Sequence, residues 1–182
     1  MSQTNYLQVN LINKCKQNDS RAQLELYDKY CHAMYRTAYN FVKQQDVAED
    51  MMQEAFIKAF QKIENFDGEV SFGSWLKRIV INQCLDWIKK RKLRIVFIDH
   101  EKVQIADEDD WNVENVVTVN QIHKTIEELP DKYKIVLKLF LLEGYDHQEI
   151  SQILNITEVS SRSQLFRGKN KLKELLKQYN YA

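Results

Sequence analysis

The chain has 182 residues, with 26 basic and 26 acidic side chains, so its formal net charge is zero. This length accommodates one large domain or two small ones, each with a modest core. A single proline and four glycines leave room for long uninterrupted helices, which predicts an all-α fold. A net charge of zero argues against nucleic-acid binding only where the basic residues are evenly spread.

The charges are not evenly spread along the chain. Seven basic residues oppose one acidic residue between Lys77 and Arg94, and one basic residue opposes seven acidic ones between Ile98 and Asn115. From Glu158 to the end, six basic residues oppose two acidic ones. Basic segments of this kind predict phosphate contacts, although each run taken alone is also typical of a solvated helix face.

Several classes of protein are disfavoured by residue spacing. Cys15, Cys31 and Cys84 are too few and too far apart for a disulfide framework or a CxxC metal site. The four histidines form no HxxxH or HExxH pattern and no glycine-rich phosphate loop is present, so we expect no enzyme activity, metal or cofactor. No signal peptide or apolar span is recognisable, so we expect a cytoplasmic protein without membrane insertion.

The N-terminal half predicts a helical bundle. A short helix over Tyr6–Lys16 precedes an amphipathic helix over Ser20–Val42, in which apolar residues recur every three or four positions. The residues expected on its inner face are Leu24, Tyr27, Tyr30, Met34, Ala38, Phe41 and Val42.

A second helix is predicted to start with a capping box of Asp46 and Glu49 and to run to about Ile63. Its inner face is apolar, whereas its outer face carries one aliphatic residue among carboxylates and amides, a composition that suits protein binding. Single surface aliphatics are also common, so this pattern alone does not decide. The residues of this outer face that we single out are Asp50, Gln53, Glu54 and Ile57.

A third helix is predicted to begin at a Ser71 or Ser74 cap and to end near Lys92. Phe72 and Trp75 lie at its start, after a loop containing glycine, and a polar face follows. Basic residues near aromatic rings suit unpaired DNA, in which bases stack on rings, although Phe72 and Trp75 are equally explained as core residues. The polar face consists of Arg78, Asn82 and Lys89.

The helical period is lost over residues 94–115, which we interpret as an acidic linker between a first domain, 1–93, and a second, 116–182. Helical spacing resumes at Val116. Pro130 interrupts it, Asp131 is predicted to cap the next helix, and that strongly apolar helix stops at Gly144. With the two helices that follow, the second domain is predicted to contain four helices.

The segment Gly144–Leu176 predicts a helix-turn-helix. A brief helix capped by Asp146 is followed by a turn at Asn155–Thr157 and by a last helix capped by Thr157. Arginine and small polar residues at the start of a helix suit major-groove binding, whereas the alternative is an ordinary helical hairpin with a basic surface. The inner face of this helix contains Ser161, Leu165, Gly168, Leu172, Leu175 and Leu176, and the outer face contains Arg162, Ser163, Phe166, Arg167 and Asn170.

Together these segments resemble a known family. DVAEDMMQEAFIKAF (46–60) followed by NFDGEVSFGSWLKRIVINQCLDWIKKRK (65–92) is similar to region two of bacterial RNA polymerase sigma factors. ELPDKYKIVLKLFLLEGYDHQEISQILNIT and the helix after it are similar to region four. No third domain lies between them, so the resemblance is to the compact extracytoplasmic-function (ECF) group, and it covers about Ser20 to Lys177.

This resemblance implies a role for each surface. The outer face of the second predicted helix would bind the clamp helices of the polymerase through Asp50, Gln53 and Glu54, beside Ile57. The loop over Asn65–Ser74 would receive a flipped base of the minus-ten element, which requires unstacking that a pocket for the base offsets. The implied minus-ten residues are Phe72, Trp75, Arg78, Asn82 and Lys89, and the implied minus-thirty-five residues are Arg162, Ser163, Arg167 and Lys169.

The resemblance also implies partners, namely core RNA polymerase, promoter DNA and an anti-sigma factor, with a monomer when these are absent. Ser161, Gln164 and Gly168 depart from the usual family pattern on the last helix. The alternative function is a stand-alone helix-turn-helix regulator whose first domain senses a ligand or dimerises. A hydrolase or nuclease is poorly supported by the residues.

Overall fold

A computed structural model describes residues 3–91 and 118–180, with side chains over 8–91 and 118–177. Every regular element in these ranges is helical, which confirms the predicted all-α fold. The chain divides into two compact units, Met1–Leu93 and Arg94–Ala182. The predicted acidic linker and the predicted helix start at Val116 lie outside the described residues.

The first unit is a bundle in which α2, α3 and α4 pack against one another and α1 packs on α2. A 3-10 turn, Ile63–Asn65, follows α3. The two predicted helices before Gln45 are both present, which confirms them. The four helices are α1 (Gln3–Lys16), α2 (Ser20–Val42), α3 (Gln45–Gln61) and α4 (Phe72–Arg91).

Local side-chain bonds explain where these helices begin. The Asp19 carboxylate accepts from the backbone N–H groups of Arg21 and Ala22 at the start of α2. The Ser71 hydroxyl accepts from the Ser74 N–H at 3.1 Å before α4, which confirms the predicted serine cap. The predicted capping box at Asp46 is wrong, because α3 already begins at Gln45. Gln44 therefore holds the N-cap position, and its side chain makes no cap bond. Asp46 instead places its negative charge in the first turn, where the helix dipole favours it.

One predicted core position in α2 is also wrong. Leu24 is 60% exposed, whereas Leu26 is fully buried. Met34, Ala38, Phe41 and Val42 are buried as predicted, whereas Tyr27 and Tyr30 are half-buried. The error arises because the apolar period alone does not reveal where along α2 the neighbouring helices make contact.

In the second unit α8 packs against α5, α6 and α7. Helix α6 continues directly into a π-helical segment, Lys138–Leu142, and the apolar stretch ends at Gly144, whose φ of +77° favours glycine. The predicted set of four helices is confirmed within residues 118–180. They are α5 (Val119–Glu128), α6 (Asp131–Leu137), α7 (His147–Leu154) and α8 (Glu158–Asn180).

Capping also organises the second unit. Asp146 and Glu149 form a reciprocal capping box at the start of α7, with N···O distances of 2.8 and 3.0 Å. The Thr157 hydroxyl accepts from the Ser160 N–H at 3.1 Å, so both predicted caps are confirmed. The predicted cap at Asp131 is wrong, since Pro130 holds the N-cap position and Asp131 is the first helical residue.

Gly168 allows a close approach of α8 to α6. A Cβ atom at this position would lie 3.0 Å from Cδ1 of Leu137 and 3.2 Å from Cβ of Tyr133. Such contacts are tighter than van der Waals packing normally allows. The glycine, which lowers helix propensity, is therefore explained by packing between the two helices.

A buried cation lies in the same unit. Lys138 is 2% exposed, and its ammonium lies 2.9 Å from Oε1 of Glu127 on α5. Lys134 donates to the backbone carbonyl of Glu127 and lies 3.8 Å from its carboxylate. This ion pair joins α5 to the π-helical segment, and the apolar pattern of the sequence did not reveal it.

We expect Glu127→Ala to lower the free energy of unfolding by about 2 kcal/mol, because it leaves the Lys138 ammonium buried without its carboxylate. The loss is smaller than for a fully buried pair, since Glu127 is 32% exposed. Lys138→Met removes the charge together with the need for a partner, so it should destabilise less. Calorimetric unfolding of the two variants tests this order, and equal or reversed losses would contradict it.

Candidate functional site

The outer face of α3 presents the predicted protein-binding residues together. Asp50, Gln53 and Glu54 are exposed, and Ile57 is 58% exposed, so it is an apolar residue on a polar surface. Gln53 donates to the Glu49 carboxylate at 3.3 Å. The structure therefore places all four residues on one accessible face, which we call the α3 face.

A buried amide supports the α3 face from below. Gln83 of α4 is 8% exposed, and its Nε2 donates to the Glu54 carboxylate at 2.8 Å. Its Oε1 accepts from the Lys58 ammonium at 2.5 Å. Gln83 thereby orients one acidic and one basic side chain of α3. Sequence reasoning missed it, although an amide between Ile81 and Cys84 at an inward position was a usable signal.

Aromatic rings cluster where the loop after α3 meets α4. Phe66 lies 5.4 Å from Trp75 and 5.7 Å from Phe72 between ring centroids, and Tyr30 lies 5.6 Å from Phe72. The Lys16 ammonium donates to the Phe66 carbonyl at 3.2 Å, which ties α1 to this loop. The cluster gives the loop a rigid base.

The predicted minus-ten aromatics differ in exposure. Phe72 is 1% exposed, whereas Trp75 is half-buried. The structure places Phe72 in the core beneath its neighbours, as the core alternative anticipated, whereas Trp75 keeps part of its ring at the surface. Phe66, which sequence reasoning did not single out, completes the wall beside Trp75.

A polar row extends along α4 from this cluster. Arg78, Asn82 and Lys89 are exposed, and their spacing of four and seven residues keeps them on one helix face. The exposed Asp86 lies near the same row. The end of α4 is basic, with Lys89, Lys90 and Arg91 in the last turn, and this favours a phosphate backbone nearby. Lys92 and Arg94 of the predicted basic run lie outside the described residues.

The helix-turn-helix is formed by α7, a turn at Asn155 and α8. Asn155 adopts a left-handed conformation with φ of 55°, which turns the chain between the two helices. Leu165, Leu172 and Leu176 are buried, as the predicted inner face required. The segment therefore has the form in which a second helix is offered to a major groove.

The predicted outer face of α8 contains side chains of different accessibility. Arg162 has a side chain 60% exposed and lies 3.4 Å from the Glu158 carboxylate. Ser163, Arg167 and Lys169 are half-buried, and the Lys169 ammonium lies 5.5 Å from the centre of the Phe140 ring. Arg162, Ser163 and Arg167 lie on the outer side of the helix, whereas Lys169 lies at its edge, against Phe140.

The family was decided by comparison with known proteins. Residues 26–94 match Sigma-70 region 2, and residues 120–172 match Sigma-70, region 4. The chain is 32% identical over 178 residues to the ECF RNA polymerase sigma factor SigW of Bacillus subtilis, covering 91% of this chain and 95% of SigW. The chain belongs to the ECF RNA polymerase sigma factors.

Other relatives agree with this membership. The sigma factor is 29% identical to SigM of Bacillus subtilis, with 83% of this chain and 93% of SigM covered. Two solved structures share the fold, each with a TM-score of 0.60. CnrH, solved with the cytosolic domain of CnrY, is 19% identical with 94% and 97% coverage. RpoE of Bartonella quintana, solved with the anti-sigma factor NepR, is 22% identical with 84% and 95% coverage.

Membership of this family establishes the function of the chain. The protein is a promoter-directing subunit of RNA polymerase and a transcription initiation factor. The match extends across both units, which favours this function over a stand-alone regulator. No helix within residues 3–91 and 118–180 is long and apolar enough to cross a membrane. In those same ranges, no three acidic, histidine or cysteine side chains converge as a metal site would require.

The three residues of α8 that depart from the usual family pattern, Ser161, Gln164 and Gly168, lie on the side of the helix that packs against the rest of the unit. Ser161 and Gln164 are both fully buried, and Gln164 donates to the Ser160 hydroxyl at 3.1 Å. Together with Gly168, these residues contact the protein interior instead of the outer face.

Among the described residues of the sigma factor, two titratable groups have pKa values that depart clearly from their ordinary values. Burial, and then the carboxylates of Asp19 and Glu25, raise the pKa of the Cys15 thiol to about 11, so it remains protonated and unreactive at neutral pH. Burial, and then the Arg162 guanidinium, lower the pKa of His147 below its ordinary value. His147 is half-buried at the start of α7.

Proposed function

We propose that the two units of this sigma factor divide promoter recognition between them. The α3 face binds the clamp helices of the polymerase. The loop after α3 and the polar row of α4 receive the melted minus-ten element, and the outer face of α8 enters the major groove at the minus-thirty-five element. The observation that carries this proposal is that each residue set lies on one face of its helix, with only Phe72 withdrawn into the core.

In this proposal the protein binds polymerase and promoter DNA and catalyses no reaction itself. The protein would act in the cytoplasm, where the polymerase and the chromosome are. Arg162 and Arg167 supply donors for guanine edges or phosphates, and Ser163 supplies a hydroxyl. Trp75 supplies a ring on which an extruded base stacks, and Arg78 and Lys89 neutralise phosphates upstream of it.

The decisive experiment is to load core RNA polymerase with the purified chain and to sequence the transcripts that start from a random-sequence promoter library. Recovery of two shared elements, near minus-ten and minus-thirty-five, supports the division of labour. Selection of only one element would show that one unit does not read DNA as proposed.

We further propose that an anti-sigma factor holds this protein inactive. The solved relatives are informative here, since RpoE is bound to the anti-sigma factor NepR and CnrH to the cytosolic domain of CnrY. A partner that covers the α3 face would exclude the polymerase. The test is to isolate the anti-sigma factor with the full chain as bait and to let it compete with core polymerase for the chain. Simultaneous binding of both would contradict the proposal.

We expect Trp75→Ala to weaken holoenzyme binding to an unpaired minus-ten strand about tenfold, because one base–aromatic stack is lost. Trp87→Ala is the matched control, since Trp87 is also half-buried on α4 but lies three turns farther on, beneath Arg91. Binding to a fluorescent single-stranded oligonucleotide measures the effect. Equal losses in both variants would show that general stability, not base stacking, was altered.

A further inference from the structure

A polar contact joins the two helices of the helix-turn-helix. Nδ1 of His147, the first residue of α7, lies 2.9 Å from the hydroxyl oxygen of Ser161 on α8. Ser161 is fully buried and directly precedes Arg162, the most exposed arginine of the outer face. The bond therefore acts at the point where the DNA-facing side of α8 begins.

The other contacts of the His147 ring bring in a third segment. The ring stacks on Phe140 of the π-helical segment, with centroids 5.2 Å apart and planes 28° apart. The Lys169 ammonium lies 5.5 Å from the centre of the same Phe140 ring. His147, Phe140, Ser161 and Lys169 form a connected group, which we call the His147 cluster.

A hydrogen bond between partly buried groups has a direction that apolar packing lacks. Two apolar side chains at positions 147 and 161 would hold α7 and α8 together at many small rotations of α8. The His147–Ser161 bond is satisfied only over a narrow range of such rotations. Ser161 and Gln164 are both fully buried on the packed side of α8, so the bond is shielded from water at its Ser161 end.

We propose that His147 is a positioning residue for promoter recognition: its bond with Ser161 sets the rotation of α8 and hence the direction of Arg162 and Ser163. This inference rests on the proposed role of α8 at the minus-thirty-five element. His147 itself needs no contact with DNA for this role.

In this proposal the Ser161 hydroxyl donates to the unprotonated Nδ1 of His147, so the bond is lost when His147 is protonated. Asp146 lies beside it on α7, and Glu158, Arg162 and Lys169 face it from α8. Burial and the Arg162 guanidinium lower the pKa of His147, Lys169 acts in the same direction, and Asp146 and Glu158 oppose it. Because the unfolded chain then binds a proton more readily than the folded one, the stability contributed by neutral His147 is lost as pH falls below the ordinary value of about 6.5.

The test uses the full chain loaded on core polymerase. The probes are a duplex promoter that the wild-type holoenzyme selects from a random library and the same duplex with a scrambled minus-thirty-five segment. The measured quantity is the ratio of the two affinities. His147→Phe keeps the ring but removes the bond, Ser161→Ala removes the other partner, and His147→Asn restores a polar group close to Nδ1.

We expect His147→Phe and Ser161→Ala each to lower this ratio about three- to tenfold, and the double variant to lower it no further, since both remove one bond. His147→Asn should lie nearer to wild type. Gln148→Ala, an exposed neighbour on α7, is the control and should leave the ratio unchanged. Ratios equal to wild type in both single variants, or effects that simply add in the double variant, would overturn the inference.

A pH profile separates this role from general stabilisation. From about pH 7.5 to about pH 5.5 the wild-type ratio should fall, whereas that of His147→Phe should change less. Identical profiles would overturn the inference even if a variant folds poorly. Arg162→Ala in the same assay separates the two proposals. A ratio that survives both Arg162→Ala and the double variant Arg162→Ala with Arg167→Ala refutes the role of α8 itself, whereas a ratio lost there but kept in His147→Phe and Ser161→Ala refutes only the positioning role.

Discussion

The double substitution Arg162→Ala with Arg167→Ala should reduce promoter-specific transcription about a hundredfold, because each arginine contact to a base edge contributes roughly 1–3 kcal/mol. Arg162 is the most accessible of the predicted minus-thirty-five residues, and Arg167 lies on the same arc of α8. Affinity for core polymerase should stay unchanged, since the α3 face belongs to the other unit. Transcription from the selected promoter and binding to labelled core polymerase measure the two effects.

A charge control distinguishes base reading from simple attraction to DNA. Lys171→Ala removes a positive charge from an exposed position on the same helix. If Arg162 and Arg167 read bases, Lys171→Ala should weaken binding to specific and scrambled duplexes alike, whereas the arginine variant should act mainly on the specific duplex. Equal loss on both duplexes in the arginine variant would show that it only neutralises phosphates.

The second large effect is expected on the α3 face. Asp50→Ala with Glu54→Ala should weaken binding to core polymerase by at least about thirtyfold, since central contacts of an interface often contribute roughly 2 kcal/mol or more. The Glu54 carboxylate is held at 2.8 Å by Gln83, so little side-chain freedom is lost when it binds. Titration of labelled core polymerase with each variant provides the measurement.

Glu64→Ala is the matched control, because Glu64 is an exposed carboxylate of the same unit that lies beyond the end of α3. It should bind core polymerase like the wild type. Without polymerase, the α3 variant should also bind duplex DNA as tightly as the wild-type chain does. A loss of polymerase affinity in both carboxylate variants would point to net charge, and no loss in either would refute the role of the α3 face.

Several parts of the candidate site were predictable because they depend on residues close together in the chain. The outer faces of α3, α4 and α8 follow from helical period alone, and Ile57 was recognised as exposed among polar neighbours. The caps at Ser71, Asp146 and Thr157 join residues three apart, so their partners were visible in the sequence. The caps at Asp46 and Asp131 failed because α3 begins two residues, and α6 one residue, before the start that each cap implied.

Other parts depend on partners far apart in the chain. Phe72 is buried by Tyr30 and Phe66, and Gln83 is positioned by Glu54 and Lys58. Their roles follow from which helix lies opposite them. A helical period gives the side of a helix that faces inward but not the atoms it meets there.

By itself, the sequence determined the helices, three of the five predicted caps and the three charged or polar faces on which function is proposed, because these rest on local spacing. Tertiary structure alone decided that Gly168 permits close packing on Leu137, that Lys138 pairs with Glu127 and that His147 bonds to Ser161. Each of these contacts joins residues that are 11 to 31 positions apart and requires a helix packing geometry that no local pattern specifies.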